Sequence, residues 1–214
     1  MRIIYLHGFA SGPGSAKAHY FRKKFAERGV SLEVPDLAEG DFENLTIGRQ
    51  LSVIERTAGD APVILIGSSL GGYLAALYAA GHPEVLRLVL LAPGFYFPQR
   101  WPESLGEEKL QEWRRNGTTE VFHYADRRTR KLGYQIVDEA IQYDPSPSFA
   151  QPALLIHGTR DKVVPVGRSE DFARAHGNVQ LRLVGSGHEL TDVLDLIWEQ
   201  IEDFLWPQAA TLDS

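Results

Sequence analysis

The sequence predicts an α/β fold: a reduced, mainly parallel sheet of about six strands with helices on both faces. Two observations carry this prediction. Short apolar runs alternate with helix-length stretches along most of the chain, a pattern that implies right-handed crossovers between parallel strands. Most of the runs also end in loops rich in glycine, proline, histidine or aspartate. Such loops lie at the C-terminal ends of the strands, where sheets of this kind bind ligands.

The elements follow in order. Residues 3–6 read as a buried strand opening into His7-Gly8-Phe9. Residues 16–28 read as a helix, with Phe21 and Phe25 on one face and Gly29 as its stop. A second strand over 31–34 ends at Pro35-Asp36, and a second helix over 42–58 carries Leu45, Ile47, Leu51 and Ile54 near helical spacing. Residues 63–66 form the third strand and 70–80 the helix behind it. The fourth strand, 88–91, ends at Ala92-Pro93-Gly94; the fifth, 153–156, ends at His157-Gly158. A short helix spans 171–175, and the sixth strand spans 179–184. The closing amphipathic helix, 192–205, carries Val193, Ile197, Ile201 and Phe204 and is ended by Pro207. Residues 1–206 thus read as a single domain and 207–214 as a tail.

One stretch breaks the alternation. Residues 95–152 are long, polar and poorly periodic, with Phe95, Tyr96, Phe97 and Trp101 near the start and Arg127-Arg128-Thr129-Arg130 further on. This segment is expected to leave the sheet and fold over its ligand-binding edge as a cap-like insertion, with Phe95, Tyr96, Phe97 and Trp101 lining a substrate pocket; the alternative is an insertion that only packs its own aromatics.

Composition narrows the function. The 214 residues are 43% hydrophobic with a formal net charge of −6, which suits a domain with its own core and speaks against general nucleic-acid binding. Cysteine is absent, so disulfides, zinc–cysteine sites and thiol nucleophiles are excluded. The apolar run at the N-terminus is too short for a signal peptide, and none is long enough to span a membrane; the expectation is a cytoplasmic protein.

The densest chemical signal is Gly67-Ser68-Ser69-Leu70-Gly71, set between a strand and a helix. A Gly-x-Ser-x-Gly in that setting lifts the central serine onto a sharp turn at a helix N-terminus. The alternative is an ordinary glycine-rich turn with a helix-capping serine. A serine hydroxyl needs a base within hydrogen-bond reach, and the base needs an acid to fix its tautomer. Both occur downstream, each after a strand: Asp161 in His157-Gly158-Thr159-Arg160-Asp161, and His188 in Gly185-Ser186-Gly187-His188. His157 is expected to be structural, and His7, which opens the loop after the first strand and precedes the serine in the chain, fits the role of base less well. The backbone amides of Leu70 and Phe9 are the expected oxyanion donors. The set requires neither a metal nor an organic cofactor.

With these residues in place, the chain resembles the α/β-hydrolase superfamily, and within it the small bacterial esterases of the YqiA/YcfP-like type. The resemblance rests on the His-Gly loop, Pro35-Asp36-Leu37, the serine turn, Gly158-Thr159-Arg160-Asp161 and Gly187-His188. It implies hydrolysis of a small-molecule ester or thioester by Ser69, His188 and Asp161. Larger members carry two more N-terminal strands, so a smaller sheet is expected here. Alternatives are an acyl-coenzyme A thioesterase or acyltransferase, with Arg127, Arg128 and Arg130 meeting phosphates, and a non-catalytic binding protein on the same fold.

Overall fold

The computed structural model describes residues 2–207; most of the 207–214 tail lies outside the described residues. One sheet of six strands, all parallel, runs in the order β2-β1-β3-β4-β7-β8. Its strands are β1 (Arg2–Leu6), β2 (Leu32–Glu33), β3 (Val63–Ser68), β4 (Val85–Leu91), β7 (Ala153–Gly158) and β8 (Val179–Val184). Every residue of β3 and β7 is buried, as expected of strands covered on both faces. The chain passes from β1 to β2 at the edge and then returns to β3 on the other side of β1. Loops leaving β1 and β3 therefore diverge, and the crevice between them is the topological switch point.

Two cores flank the sheet. On one face lie α2 (Ile47–Ala58), α3 (Leu70–Ala79) and α7 (Val166–Ala175), which contribute Ile54, Tyr73, Leu74 and Phe172. α3 is buried almost all round, which suits its nearly uninterrupted apolar sequence. On the other face, α1 (Ala16–Glu27) and α8 (Leu194–Leu205) pack Phe21 and Phe25 against Ile197, Trp198 and Ile201. No helix among the described residues is long and apolar enough to cross a membrane.

The expected 42–58 helix begins only at Ile47. Thr46 caps it, its hydroxyl accepting the Arg49 N–H at 3.1 Å, while Phe42 and Leu45 turn away into a separate cluster. The helix expected over 171–175 already starts at Val166, just after Pro165.

Residues 95–152 are more ordered than their sequence suggests. They form α4 (Phe97–Ser104), α5 (Glu107–Asn116), the antiparallel hairpin β5 (Thr118–His123) and β6 (Arg128–Gly133), and α6 (Gln135–Ala140). These elements share a third core, centred on buried Trp113, Leu132 and Ile136. Phe42, Leu45 and Ala10 join it from the loops after β1 and β2. The Trp113 indole donates to the Leu132 carbonyl at 3.0 Å. The Glu139 carboxylate of α6 accepts the Ile47 and Gly48 amides at 2.9 and 2.8 Å, placing negative charge at the positive end of α2.

Candidate active site

Ser69 stands between β3 and α3 at φ 53°, ψ −118°, a region non-glycine residues rarely occupy. Its peptide is clamped: the N–H donates to the Leu91 carbonyl at 2.9 Å, and its own carbonyl accepts from Gly72, Tyr73 and Gly94. The flanking glycines are required by space. A Cβ on Gly67 would overlap the Gly71 carbonyl, and one on Gly71 would overlap the Leu6 carbonyl of β1. The turn can therefore hold its strained residue only with both positions bare.

Asp161 follows β7 and His188 follows β8. Their loops are tied together by hydrogen bonds from Thr159 N–H to Val184 and from Arg160 N–H to Ser186. His188 Nδ1 lies 2.7 Å from Asp161 Oδ2, and His188 Nε2 lies 3.0 Å from Ser69 Oγ. The three expected side chains thus form one continuous hydrogen-bonded chain. Because a carboxylate only accepts, Nδ1 carries the proton and Nε2 offers its lone pair to the serine hydroxyl.

The surroundings of Asp161 explain why it stays ionised. Its side chain is fully buried. Burial alone would raise its carboxyl, but hydrogen bonds from His157, His188 and the Val164 amide outweigh this and hold it well below the usual carboxylate range. The Val163 and Val164 amides both reach Oδ1 at 2.8 Å, and His157 Nε2 lies 3.1 Å from Oδ2. His157 is itself fully buried, with Nε2 at 3.0 Å from the Val164 carbonyl and Nδ1 at 2.7 Å from Ser169 Oγ. Since that carbonyl can only accept, Nε2 is the protonated nitrogen and Nδ1 receives the Ser169 hydroxyl.

The loop after β1 completes the crevice. A Cβ on Gly8 would come within 3.5 Å of Ser69 Cβ, so this backbone passes directly beside the serine. His7 holds the loop in place. Its Nε2 accepts the Leu37 N–H at 3.2 Å and its Nδ1 donates to the Gly8 carbonyl at 3.0 Å, while burial lowers its pKa from the ordinary histidine value. Phe9 packs its ring 4.7 Å from Trp101 and 5.7 Å from both Phe42 and Phe97. Among the described residues, the Phe9 N–H has no backbone or side-chain acceptor. Leu70 is the first residue of α3, a position whose amide has no partner within the helix.

A cavity of about 630 Å³ opens onto Ser69 and His188. Phe95, Phe97 and Trp101 line it; Tyr96 does not, and its ring lies instead 4.5 Å from the Arg168 guanidinium. The β5–β6 hairpin adds Val121, Phe122, Tyr124 and Arg127; of these the sequence marks only Arg127, as a phosphate contact of a thioester substrate, and Arg128 and Arg130, marked with it, do not line the cavity. The hairpin is fastened to the loop after β1 by the Tyr124 N–H, which donates to the Ala10 carbonyl at 2.8 Å. Lys17 and Arg100 also line the cavity. A sequence signal existed for His157, four residues before Asp161 at a strand end. Apart from the basic run at Arg127, none existed for the hairpin.

The sheet, its order and the serine turn at its switch point define the α/β-hydrolase fold. Solved structures share this fold. Est1E from Butyrivibrio proteoclasticus aligns with a TM-score of 0.78 over 95% of this chain and 86% of its own, at 23% identity. Alpha/beta hydrolase domain-containing protein 10 from mouse aligns with a TM-score of 0.77 over 95% and 88%, at 24% identity. The chain belongs to the family described as Uncharacterised protein family (UPF0227), matched over residues 2–205. Its curated relatives include hydrolases of esters and of thioesters. The mitochondrial palmitoyl-protein thioesterase ABHD10 of Bos taurus is 28% identical over 178 residues, 76% of this chain and 58% of that protein. The pimeloyl-[acyl-carrier protein] methyl ester esterase of Xanthomonas oryzae pv. oryzae is 29% identical over 172 residues, 64% of this chain and 67% of that enzyme. The chain thus spans less than two thirds of the bovine relative's length.

Proposed function

We propose that the protein is a serine hydrolase that cleaves carboxylic esters through an acyl-enzyme, with Ser69 as nucleophile, His188 as base and Asp161 as its orienting acid. The observation that carries this proposal is the unbroken chain from Ser69 Oγ through His188 to Asp161, built on a strained turn that presents the serine to a cavity.

Chemically, Ser69 Oγ bonds to the acyl carbon as His188 Nε2 takes its proton. The carbonyl oxygen becomes an oxyanion, to which the amides of Phe9 and Leu70 donate. His188 returns the proton to the departing alcohol or thiol as its bond to carbon breaks. Water then attacks the acyl-enzyme with His188 again as base, releasing the carboxylic acid and restoring Ser69. Asp161 remains a carboxylate throughout and stabilises the imidazolium.

Thioester cleavage is the second reading, favoured by the ABHD10 relatives. The test is a panel of nitrophenyl esters of increasing acyl length run beside the matching coenzyme A thioesters, with Ser69→Ala and His188→Ala as controls. Hydrolysis that disappears in both variants is expected. Turnover persisting in either variant would remove the triad, and the ratio between series sets ester against thioester.

A further inference from the structure

We infer that the substrate carries an anionic group, a carboxylate or phosphate, which Arg127, Arg100 and Lys17 receive around the cavity that opens onto Ser69. This deepens the hydrolase proposal and rests on it. The charge balance of the cavity is the starting point. Three cationic side chains line it and one anionic side chain, Glu189, does so, in a protein whose formal net charge is −6. The remaining lining is largely aromatic or small: Phe97, Trp101, Phe122 and Tyr124 supply ring surface beside the cations.

The three cations come from three separate parts of the fold. Lys17 lies in the first turn of α1, Arg100 on α4 and Arg127 in the turn between β5 and β6. Among the described residues, none of the three has a carboxylate within ion-pair distance. Lys17 is fastened to the histidine loop through one donor, Nζ to the Glu189 carbonyl at 2.7 Å, leaving two N–H groups. Burial pulls its pKa down while the nearby carboxylates of Glu189 and Asp161 pull the other way, and a substrate anion would add to them. Among the described residues, the Arg100 guanidinium makes only a long contact of 3.4 Å, to the Val163 carbonyl on the acid loop.

Arg127 is set apart from its neighbours. Arg130 is spent on structure: it pairs with Asp126 at 2.9 Å and donates to the Gly40 carbonyl at 2.9 Å. Arg128 lies 3.9 Å from the same Asp126 carboxylate and does not line the cavity. Arg127 adopts a left-handed backbone, φ 52°, and is the one member of this basic run to line the cavity. A guanidinium without an internal carboxylate, at the rim of an aromatic-lined cavity, suits a substrate that joins apolar surface to a carboxylate or phosphate.

The anion can sit on either side of the scissile bond, and two substrate pairs separate these cases. The acyl-side pair is the nitrophenyl ester of hexanoic acid against the mono-nitrophenyl ester of adipic acid. The leaving-group pair is a hexanoyl N-acetylcysteamine thioester against hexanoyl-coenzyme A. In one pair at least, the charged member should show about tenfold higher kcat/KM at low salt, with the advantage shrinking as salt screens it. Arg127→Gln and Arg100→Gln should each pull that ratio towards one, while Arg128→Gln should keep it. Ratios near one in both pairs, or a ratio untouched by Arg127→Gln and Arg100→Gln, would overturn the inference with the hydrolase proposal intact. Absence of turnover above the Ser69→Ala background on every substrate would instead remove the triad, and this inference with it.

Discussion

The serine-bearing edge of the sheet and the 95–152 segment meet at one cavity, yet different forces hold them. At the edge, position is set by backbone. The Ser69 peptide is clamped by four hydrogen bonds, Asp161 by two amides, and the glycines admit no side chain. In 95–152, position is set by side chains: Trp113, Leu132 and Ile136 build a core that borrows Phe42 and Ala10 from distant loops. Backbone-set geometry tolerates little displacement, which suits groups that must align for chemistry. Side-chain-set geometry can be repacked, which suits a surface that chooses among substrates. Phe9 joins the two: the Gly8 backbone just before it passes beside the serine turn, and its own ring packs on Trp101 and Phe97.

The largest effects belong to the edge. Ser69→Ala and His188→Ala should each lower kcat/KM by about 10⁴-fold or more, with the thermal midpoint essentially unchanged. A fall in stability matching the fall in rate would mean these residues hold structure instead. Gly71→Ala forces a Cβ into the Leu6 carbonyl, where backbone cannot yield, and should cost about 3 kcal/mol or more in denaturant unfolding. A neutral result would show that the turn is looser than described.

Trp113→Ala removes the centre of the third core and should cost about 3 kcal/mol. Among enzymes that remain folded, it should raise KM more than it lowers kcat. An equal fall in kcat would tie the segment to the chemistry. A smaller effect is expected at His157, which touches Asp161 but not the serine. His157→Phe leaves the carboxylate one donor short and should lower kcat about tenfold at unchanged KM, in the manner of a positioning group. The gentlest perturbation is pH. His7 and His123 are both held below the ordinary histidine value by burial, so the unfolded chain binds protons that the folded chain refuses. Their contribution is fully present above about pH 6.5, the unfolded value, and is lost as pH falls through the folded values. Denaturant midpoints should therefore decline towards acid, and His7→Gln should flatten that decline.

The two regions also differ in how far the sequence discloses them. The edge is legible because its signals are local. Glycines bracket Ser69, and Asp161 and His188 each follow an apolar run by a few residues. The hairpin is not legible. Along β5 and β6 only His123, Leu132 and Gly133 are buried, and their partners are Phe42 and the other residues of a core assembled from far along the chain. α4 carries a proline at its start and another inside, and α5 buries only Trp113, so neither shows a readable stripe. The sequence places His7 and His157 at strand ends but does not disclose what they hold. Several of their partners are backbone groups, the Leu37 and Gly8 peptides and the Val164 carbonyl, and residue types do not mark those.

An activated Ser69 should be open to covalent labelling in the folded protein. After treatment with a fluorophosphonate probe and peptide mass analysis, one adduct is expected, on Ser69, absent in Ser69→Ala and greatly slowed in His188→Ala. A folded protein that takes no label, or takes it on another serine, would contradict the account.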